Sequence, residues 1–380
     1  MGTGLARRRR IAVGAVAGLA IAAFACGAVL SERGSQPPPP SIASQLSLRR
    51  LVGERLVGGF SGTEPPAPLR RMIGRGELAG VIFFEANLAD RAAARQLSAE
   101  IQSIPRPRGL RDPLLLMVDQ EGGLVKRLGG APTLSAAQMG EAGARVSREQ
   151  GRETAIGLRR AGLDVDLAPV LDIARPGGTI GATERSFGAT AAQVAATAVP
   201  FAEGLREGRV IATAKHFPGL GAAAENTDLA VQRIDLSRRE LRAVDERPYR
   251  PFIAAGGEMV MLSTAIYPAF SPRPAAFARP IATGELRRRL SFEGVSITDA
   301  LESAAVGDFG GPAAAALAAA AAGTDLLLFT DYRAAATAGA ALVRELRRDP
   351  RDRSAFETSA SRVLRLRHAL AASLRPDRRR

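Results

Sequence analysis

Short apolar runs alternate with longer amphipathic stretches along most of this chain, a pattern that predicts β-strands and α-helices in turn. Each run is five or six residues long, and successive runs start 25 to 50 residues apart. Each interval therefore has room for one helix and its loops. The eight predicted strands are Arg55–Phe60, Gly80–Glu85, Leu114–Asp119, Asp164–Ala168, Val210–Lys215, Met259–Thr264, Val295–Asp299 and Asp325–Phe329.

Eight such units within about 300 residues predict a closed (β/α)8 barrel of the TIM type, formed as a single domain. An open, doubly wound sheet with extra strands is the alternative fold. The stretch from Gly311 to Leu374 is rich in alanine and arginine, and it predicts further helices around the last strand.

The N-terminal residues 1–30 read as a signal or anchor segment and not as part of the fold. Arg7 to Arg10 precede an uncharged apolar run from Ile11 to Leu30, whose length lies between a signal-peptide core and a membrane span. Arginines on this side of the run favour the cytoplasm, so the remainder of the chain is expected to be exported. Ala25-Cys26 resembles a lipoprotein processing site, and lipidation, ordinary cleavage and an uncleaved anchor all stay open.

Residues 31–45 predict a stiff extended spacer, because four consecutive prolines occupy Pro37 to Pro40. The folded domain is expected over residues 46–380. The expected location is therefore outside the cell membrane, either anchored through the N-terminal segment or secreted.

The charge of the chain does not by itself indicate a nucleic-acid partner. The formal net charge is +14, and only Lys126 and Lys215 are lysines, so 50 of the 52 basic residues are arginine. These arginines are spread along the chain without interleaved aromatic residues for base stacking, and we expect no nucleic-acid binding. One cysteine and two histidines argue against a disulfide framework and a zinc site, and no metal or cofactor is expected.

Polar residues gather where the predicted strands end, which is the end of a barrel at which chemistry occurs. Asp119 ends the third strand, Asp172 follows the fourth, Lys215-His216 end the fifth and Asp299 ends the seventh. Carboxylates facing one another across a barrel mouth suggest glycoside hydrolysis. At the tip of an apolar strand, Asp299 suits the role of nucleophile.

Seven motifs give this pattern a more specific meaning, because together they resemble glycoside hydrolase family 3. Within that family the chain is similar to the single-domain bacterial β-N-acetylhexosaminidases. In chain order, the matching stretches are Gly59-Phe60-Ser61-Gly62-Thr63, Gly80-Val81-Ile82-Phe83-Phe84, Val118-Asp119-Gln120-Glu121-Gly122-Gly123, Leu167-Ala168-Pro169-Val170-Leu171-Asp172-Ile173, Glu184-Arg185-Ser186-Phe187-Gly188, Lys215-His216-Phe217-Pro218-Gly219 and Ile297-Thr298-Asp299-Ala300-Leu301.

The resemblance implies that Asp299 is the nucleophile that forms a glycosyl-enzyme. It also implies four residues that hydrogen-bond the hydroxyls of the terminal sugar: Asp119, Arg185, Lys215 and His216. A loop-ordering ion pair is the alternative role for Arg185. Asp172 is expected to order the barrel rim, and Glu121 to brace the glycine turn that follows it.

One part of the family pattern fails in this chain. In the related hexosaminidases an Asp-Ser-His segment supplies an Asp-His dyad as acid and base. Here Asn226 stands at the position of that Asp and Asp228 at the position of that His, while Thr264 replaces a histidine of the sixth strand. Three readings stay open: Asp228 is the acid/base, Glu225 takes that role, or the domain binds glycan without cleaving it.

The sequence and the resemblance together lead us to expect a retaining β-glycosidase. It would remove terminal β-N-acetylglucosamine from peptidoglycan-type fragments as a monomer. The alternatives are a catalytically impaired glycan-binding protein of the envelope and a family 3 glycosidase for another sugar, such as β-glucose.

Overall fold

The computed structural model describes residues 41–375, so the predicted signal or anchor segment, Cys26 and most of the predicted spacer lie outside it. Within this range every one of the eight predicted strands is confirmed. The strands are β1 (Leu56–Gly58), β2 (Gly80–Phe83), β3 (Leu115–Val118), β4 (Val165–Asp166), β5 (Ile211–Phe217), β6 (Met259–Leu262), β7 (Val295–Thr298) and β8 (Leu327–Phe329).

The eight strands form one parallel sheet that closes on itself. Its order is β8-β1-β2-β3-β4-β5-β6-β7, and the pairing of β1 with β8 aligns Leu56 with Leu327. Between β7 and β8 a parallel bridge joins Ile297 to Leu326, and the amide of Thr298 donates to the Leu326 carbonyl oxygen at 3.0 Å. The predicted (β/α)8 barrel is therefore confirmed, and the open-sheet alternative is wrong.

Helices fill the intervals between the strands, as expected for this fold. In the described range, none of them is long and apolar enough to cross a membrane. The α-helices are Leu48–Gly53, Ala67–Arg75, Arg91–Ser103, Ala136–Ala142, Ala144–Arg160, Thr179–Ala182, Ala191–Glu207, Arg238–Glu240, Tyr249–Ala254, Gly311–Ala322, Tyr332–Arg348 and Arg353–Ser373. The π-helical turns are Leu241–Asp245 and Pro280–Arg289, and the 3₁₀ turns are Ile42–Gln45, Glu85–Asn87, Ala275–Phe277, Ala304–Phe309 and Pro350–Asp352.

Side-chain caps mark where several of these helices begin. The Asp90 carboxylate accepts a hydrogen bond from the Ala93 amide at 2.8 Å, which satisfies a backbone donor that the first helical turn leaves free. Ser135 and Gln138 form a reciprocal capping box at the start of Ala136–Ala142.

The last described helix, Arg353–Ser373, packs against the apolar interior of the barrel. Strand side chains alternate in direction, so one set fills the barrel and the other set meets the helices. Val363 and Leu370 of this helix join the interior cluster that also contains Val57, Met117 and Ile297.

A buried ion pair ties this helix to the start of the barrel. The Arg367 guanidinium lies 2.5 Å from a carboxylate oxygen of Glu54, and both side chains are almost fully buried. Arg367 also donates to the carbonyl oxygens of Pro113 at 2.9 Å and Asp112 at 2.6 Å. Burial raises the pKa of Glu54, and the charge of Arg367 opposes that rise. Removing one partner would therefore leave an uncompensated buried charge.

Replacing Arg367 with alanine should lower the free energy of unfolding by about 3–5 kcal/mol, as is typical when one partner of a buried pair is removed. Chemical denaturation would measure the change. The matched control is Arg365→Ala, an exposed position on the same helix, which should change the free energy by less than about 0.5 kcal/mol. Equal effects of the two substitutions would contradict a special role for the buried pair.

Candidate active site

A solvent-open cleft of about 830 Å³ lies at the carboxyl ends of the strands. This is the end of the barrel at which such folds carry their chemistry. The structure brings the six sequence-predicted site residues together in its lining: Asp119, Arg185, Lys215, His216, Asp228 and Asp299.

The strands themselves hold several of these side chains. Lys215 and His216 belong to β5, and the peptide bonds Lys215–His216 and Phe217–Pro218 are cis. Asp299 directly follows β7, and its amide donates to the Leu262 carbonyl oxygen at the end of β6 at 3.1 Å. These positions are rigid because each is fixed by the sheet as well as by its own chain neighbours.

Charged side chains form a cluster at one side of the cleft. The ammonium of Lys215 lies 2.6 Å from Asp119 Oδ1 and 2.7 Å from Glu121 Oε1. Arg185 donates to both carboxylate oxygens of Glu121, each at 2.7 Å, which is the bidentate geometry of a strong pair. Burial tends to raise the pKa of Glu121, but the charges of Lys215 and Arg185 outweigh it and hold this pKa well below its usual range. Glu121 is therefore ionised and shared by two cations.

The position of Glu121 corrects a sequence-based expectation. Instead of only bracing the turn at Gly122 and Gly123, its side chain is almost fully buried between Lys215 and Arg185. The sequence does indicate that Glu121 lies on the same side as Asp119. The two residues are two positions apart, and such residues point the same way in an extended segment. Arg185 makes the ion pair that the sequence offered as an alternative role, and it also lines the cleft.

His216 is oriented from below by a buried carboxylate. Its Nδ1 lies 2.7 Å from Asp172 Oδ2, and Asp172 Oδ1 accepts hydrogen bonds from the amides of His216 at 3.1 Å and Leu220 at 2.7 Å. Because a carboxylate can only accept, Nδ1 carries the proton, and Nε2 is the ring nitrogen left for the cleft. Asp172, in the segment that follows β4, therefore fixes the orientation of the His216 imidazole in β5.

Asp299 is half-buried, and the charges of two neighbours act on it. Its Oδ1 accepts a hydrogen bond from the Ala300 amide at 2.8 Å. Burial raises the pKa of Asp299, the charge of His216 lowers it, and the charge of Asp228 raises it further. Both carboxyl groups line the same cleft.

Asp228 is held in place by the side chain of Asn226. The Asp228 amide donates to Asn226 Oδ1 at 3.0 Å, and Asn226 Nδ2 donates to Asp228 Oδ2 at 3.3 Å. The loop is attached to the Ala304–Phe309 turn, because the Ala304 amide donates to the Asp228 carbonyl oxygen at 3.3 Å. Glu225 is exposed on the same loop but is not part of the cleft lining that the structure describes.

Sequence reasoning also missed other residues in this lining. Arg127 and Phe84 contribute to the cleft alongside the predicted set. In residues 41–375, no three His, Cys, Asp or Glu side chains are placed so as to hold a metal ion. The arrangement offers charged hydrogen-bond partners for a hydroxyl-rich ligand and two carboxyl groups that face one cleft, one on a strand end and one on a loop.

Comparison with known proteins adds a second line of observation. The model of the glycosyl hydrolase family 3 N-terminal domain matches residues 47–366. An uncharacterized secreted glycosyl hydrolase of Arthroderma benhamiae is 36% identical over 345 residues, which cover 88% of this chain and 96% of that protein. A beta-hexosaminidase of Stenotrophomonas maltophilia is 35% identical over 285 residues, covering 72% of this chain and 82% of the relative.

A solved structure is similar over most of the barrel. The glycoside hydrolase family 3 beta-N-acetylglucosaminidase from a Paenibacillus species superposes with a TM-score of 0.79 at 34% sequence identity. The similarity covers 86% of this chain and 63% of that one, so this chain spans less than two thirds of that protein's length.

Replacing Glu121 with glutamine should lower the free energy of unfolding by about 3 kcal/mol at neutral pH, because the buried Lys215 and the half-buried Arg185 lose their shared anion. The difference from the parent protein should shrink as the pH falls below 4.5, the ordinary pKa of this group. The reason is that a carboxyl whose pKa is depressed on folding stabilises only while it is ionised. Chemical denaturation over a pH series would measure both effects.

The matched control for this prediction is Glu225→Gln, an exposed change on a nearby loop. It should alter the free energy by less than about 0.5 kcal/mol. A Glu121→Gln variant as stable as the parent would contradict the assigned electrostatics.

Proposed function

This chain belongs to glycosyl hydrolase family 3 and is a glycoside hydrolase, and on that premise we propose that it is a retaining β-N-acetylhexosaminidase. Its substrate in this proposal is a terminal β-N-acetylglucosamine on a peptidoglycan-type fragment. The observation that carries the proposal is that Asp299, Asp228 and the charged cluster around Lys215 line one cleft. The names of the Stenotrophomonas and Paenibacillus relatives support the choice of sugar.

In the proposed mechanism Asp299 is the nucleophile. Its carboxylate attacks the anomeric carbon, a bond forms between that carbon and the carboxylate oxygen, and the glycosidic carbon–oxygen bond breaks. Burial works against ionisation of Asp299, while the charge of His216 and the hydrogen bond from the Ala300 amide favour it. The strand end fixes where the attacking oxygen lies, which is the positioning that such a displacement requires.

The charged cluster is proposed to hold the hydroxyls of the terminal sugar. Asp119 can accept hydrogen bonds, and Lys215 and Arg185 can donate them. His216 Nε2 accepts in the neutral ring and donates in the imidazolium, so a hydroxyl group finds both kinds of partner. Because Glu121 keeps the two cations paired and in place, they reach the sugar without reorganising.

Asp228 is proposed as the acid and then the base. It would protonate the leaving oxygen in the first step, and in the second it would take a proton from the water that hydrolyses the glycosyl-enzyme. The Asn226 side chain aims this carboxyl, and Asp228 lines the cleft, whereas Glu225 does not. These contacts favour Asp228 over Glu225 for the role.

We further propose that the N-terminal segment exports the chain and that the enzyme works outside the cell membrane as a monomer. The Arthroderma relative is named as secreted, which supports export. The proposal also includes attachment to the membrane through residues 1–30, with or without lipid on Cys26.

Replacing Asp299 with asparagine should reduce release of the aryl group from an aryl β-N-acetylglucosaminide to background. The amide keeps the shape of the side chain but cannot attack the anomeric carbon. Steady-state release would be measured alongside circular dichroism, which should be unchanged. Undiminished turnover in a folded Asp299→Asn variant would refute the nucleophile assignment.

Replacing Asp228 with alanine should slow hydrolysis of a disaccharide by about 10²–10⁴-fold, the usual contribution of general acid–base catalysis. The effect on the first step should be smaller for an aryl glycoside, since a good leaving group needs little protonation. Glu225→Ala is the matched control and should retain full activity.

Loss of activity in Glu225→Ala, with full activity in Asp228→Ala, would instead assign the acid/base role to Glu225. If the parent protein releases no sugar from any aryl β-glycoside yet binds glycan in a titration, the enzyme proposal fails in favour of a binding protein.

A further inference from the structure

Exposed arginines are concentrated at the end of the barrel opposite the cleft. The eight strands run parallel, so the residues that precede each strand lie at one end, which we call the amino end. Six exposed arginines stand there, outside the ion pairs that the structure describes for residues 41–375. These amino-end arginines are Arg75, Arg108, Arg111, Arg160, Arg209 and Arg365.

The carboxylates at the amino end do not neutralise these arginines, because most of them are paired with other cations. Glu293, before β7, is the exposed acidic residue that remains outside such pairs in the described segments that lead into the strands. The amino end therefore keeps a positive charge that attracts anions. The pairs are Glu54–Arg367, Glu77–Arg49, Asp112–His368, Asp164–Arg159, Glu258–Arg206 and Asp325–Arg287.

Helix ends explain only some of the amino-end arginines. Arg75 and Arg160 are each the last residue of a helix, where a cation is favourable beside the helix dipole. Arg108 and Arg111 stand in the loop before β3, and Arg365 lies in the middle of the last described helix. No helix end accounts for these three, so their exposed charge is available to a partner outside the chain.

The last described helix, which carries Arg365, covers the amino end of the barrel. Its Val363 and Leu370 join the interior cluster, whereas Arg365 is exposed to solvent. His368 of the same helix contacts Asp112 in the loop before β3, so Arg365 lies on the same surface as that loop. The arginines of the loop and of the helix therefore face solvent together.

The chain enters the fold at this same end. The turn Ile42–Gln45 packs against the last described helix, and Arg353 of that helix donates to the carbonyl oxygens of Ser44 and Leu46, each at 3.1 Å. Residues 31–41 separate this turn from the predicted signal or anchor segment. A stretch of that length can span at most about 40 Å. A membrane that holds the segment would therefore lie within about 40 Å of the turn.

We propose that the amino end of the barrel is a docking surface for a membrane with anionic headgroups. The inference rests on the proposed attachment of the N-terminal segment and is independent of the proposed reaction. Each arginine near an anionic membrane surface adds a modest attraction. Because the attachment keeps the barrel within reach of the membrane, these modest attractions act at a high effective concentration.

Docking through the amino end determines where the cleft points. The cleft lies at the carboxyl ends of the strands, which is the opposite end of the barrel. It therefore opens away from the membrane. The glycan that reaches it is one carried in the space around the cell, and not one attached to a lipid of the same membrane.

The test measures how the full chain partitions onto vesicles of phosphatidylcholine alone and of phosphatidylcholine mixed with phosphatidylglycerol. The combined variant Arg108→Gln, Arg111→Gln and Arg365→Gln removes three charges from the amino end. Its partition onto the mixed vesicles should fall roughly hundredfold, since each arginine near an anionic surface contributes about fivefold. On the neutral vesicles it should match the parent, because the N-terminal segment is unchanged.

The matched control removes the same charge from the cleft end. Arg91, Arg145 and Arg239 are exposed and lie in the first turns of helices that follow strands. The combined variant Arg91→Gln, Arg145→Gln and Arg239→Gln should change partition less than about twofold, because these positions lie beyond a Debye length of about 10 Å from a docked membrane. At about 1 M salt the parent should lose its preference for the mixed vesicles, since the Debye length is then about 3 Å.

Equal losses in the two combined variants would overturn the proposal, because net charge and not the amino end would then account for binding. Equal partition of the parent onto neutral and mixed vesicles would overturn it as well. So would tighter binding to soluble poly(glycerol phosphate) than to the mixed vesicles, lost in the amino-end variant, since an anionic wall polymer would then be the partner of this surface.

The failure of this inference is distinguishable from failure of the proposed function. Release of the aryl group from an aryl β-N-acetylglucosaminide would be measured in solution on the same proteins. A parent protein that releases it but shows no preference for the mixed vesicles refutes only the docking surface. A parent protein that releases none, yet loses its preference in the amino-end variant alone, refutes the proposed reaction and supports the docking surface.

Discussion

The Glu121 carboxylate, shared by Lys215 and Arg185, is the interaction on which the cleft depends. It joins a hairpin after β3, the end of β5 and the loop after β4, three segments that are far apart in the chain. Two anions, Asp119 and Glu121, balance two cations here. Burial raises the pKa of nearby Asp166 well above its usual value, which opposes a third negative charge beside this cluster. A buried cluster is favourable only when its charges are paired in this way.

The residues that line the cleft stand partly on rigid strands and partly on a less rigid loop. Asp299 stands on a strand end, and Lys215 and His216 stand in a strand, so the sheet fixes the groups that are proposed to meet the terminal sugar. Asp228, the proposed acid, stands on a loop that follows β5 and is exposed to solvent. The burial of Asp299 and the charge of His216 oppose each other in setting the ionisation of this proposed nucleophile. Preorganised charge of this kind is a principal source of catalytic rate in enzymes.

Local patterns were sufficient to predict the barrel and to place each of its strands to within a few residues. Alternating apolar runs fall on all eight strands because burial in a parallel barrel selects nearly continuous hydrophobic segments. The partners of the site residues were harder to predict, since they depend on which distant segments meet. Nothing local in the sequence pairs Asp172 with His216, and only the two-residue spacing from Asp119 hinted at the role of Glu121. Arg367, deep beneath the barrel, was similarly indistinguishable from the many arginines on the surface.

The measurement that tests this account most directly is identification of the covalent intermediate. The Asp228→Ala variant lacks the proposed base for the second step, so with an aryl β-N-acetylglucosaminide it should accumulate glycosyl-enzyme. Peptide mass spectrometry after rapid acid quenching should then find one N-acetylhexosamine on the peptide that contains Asp299. A sugar on a different residue would contradict the account. So would turnover with inverted anomeric configuration and no labelled peptide, because that outcome requires direct attack by water.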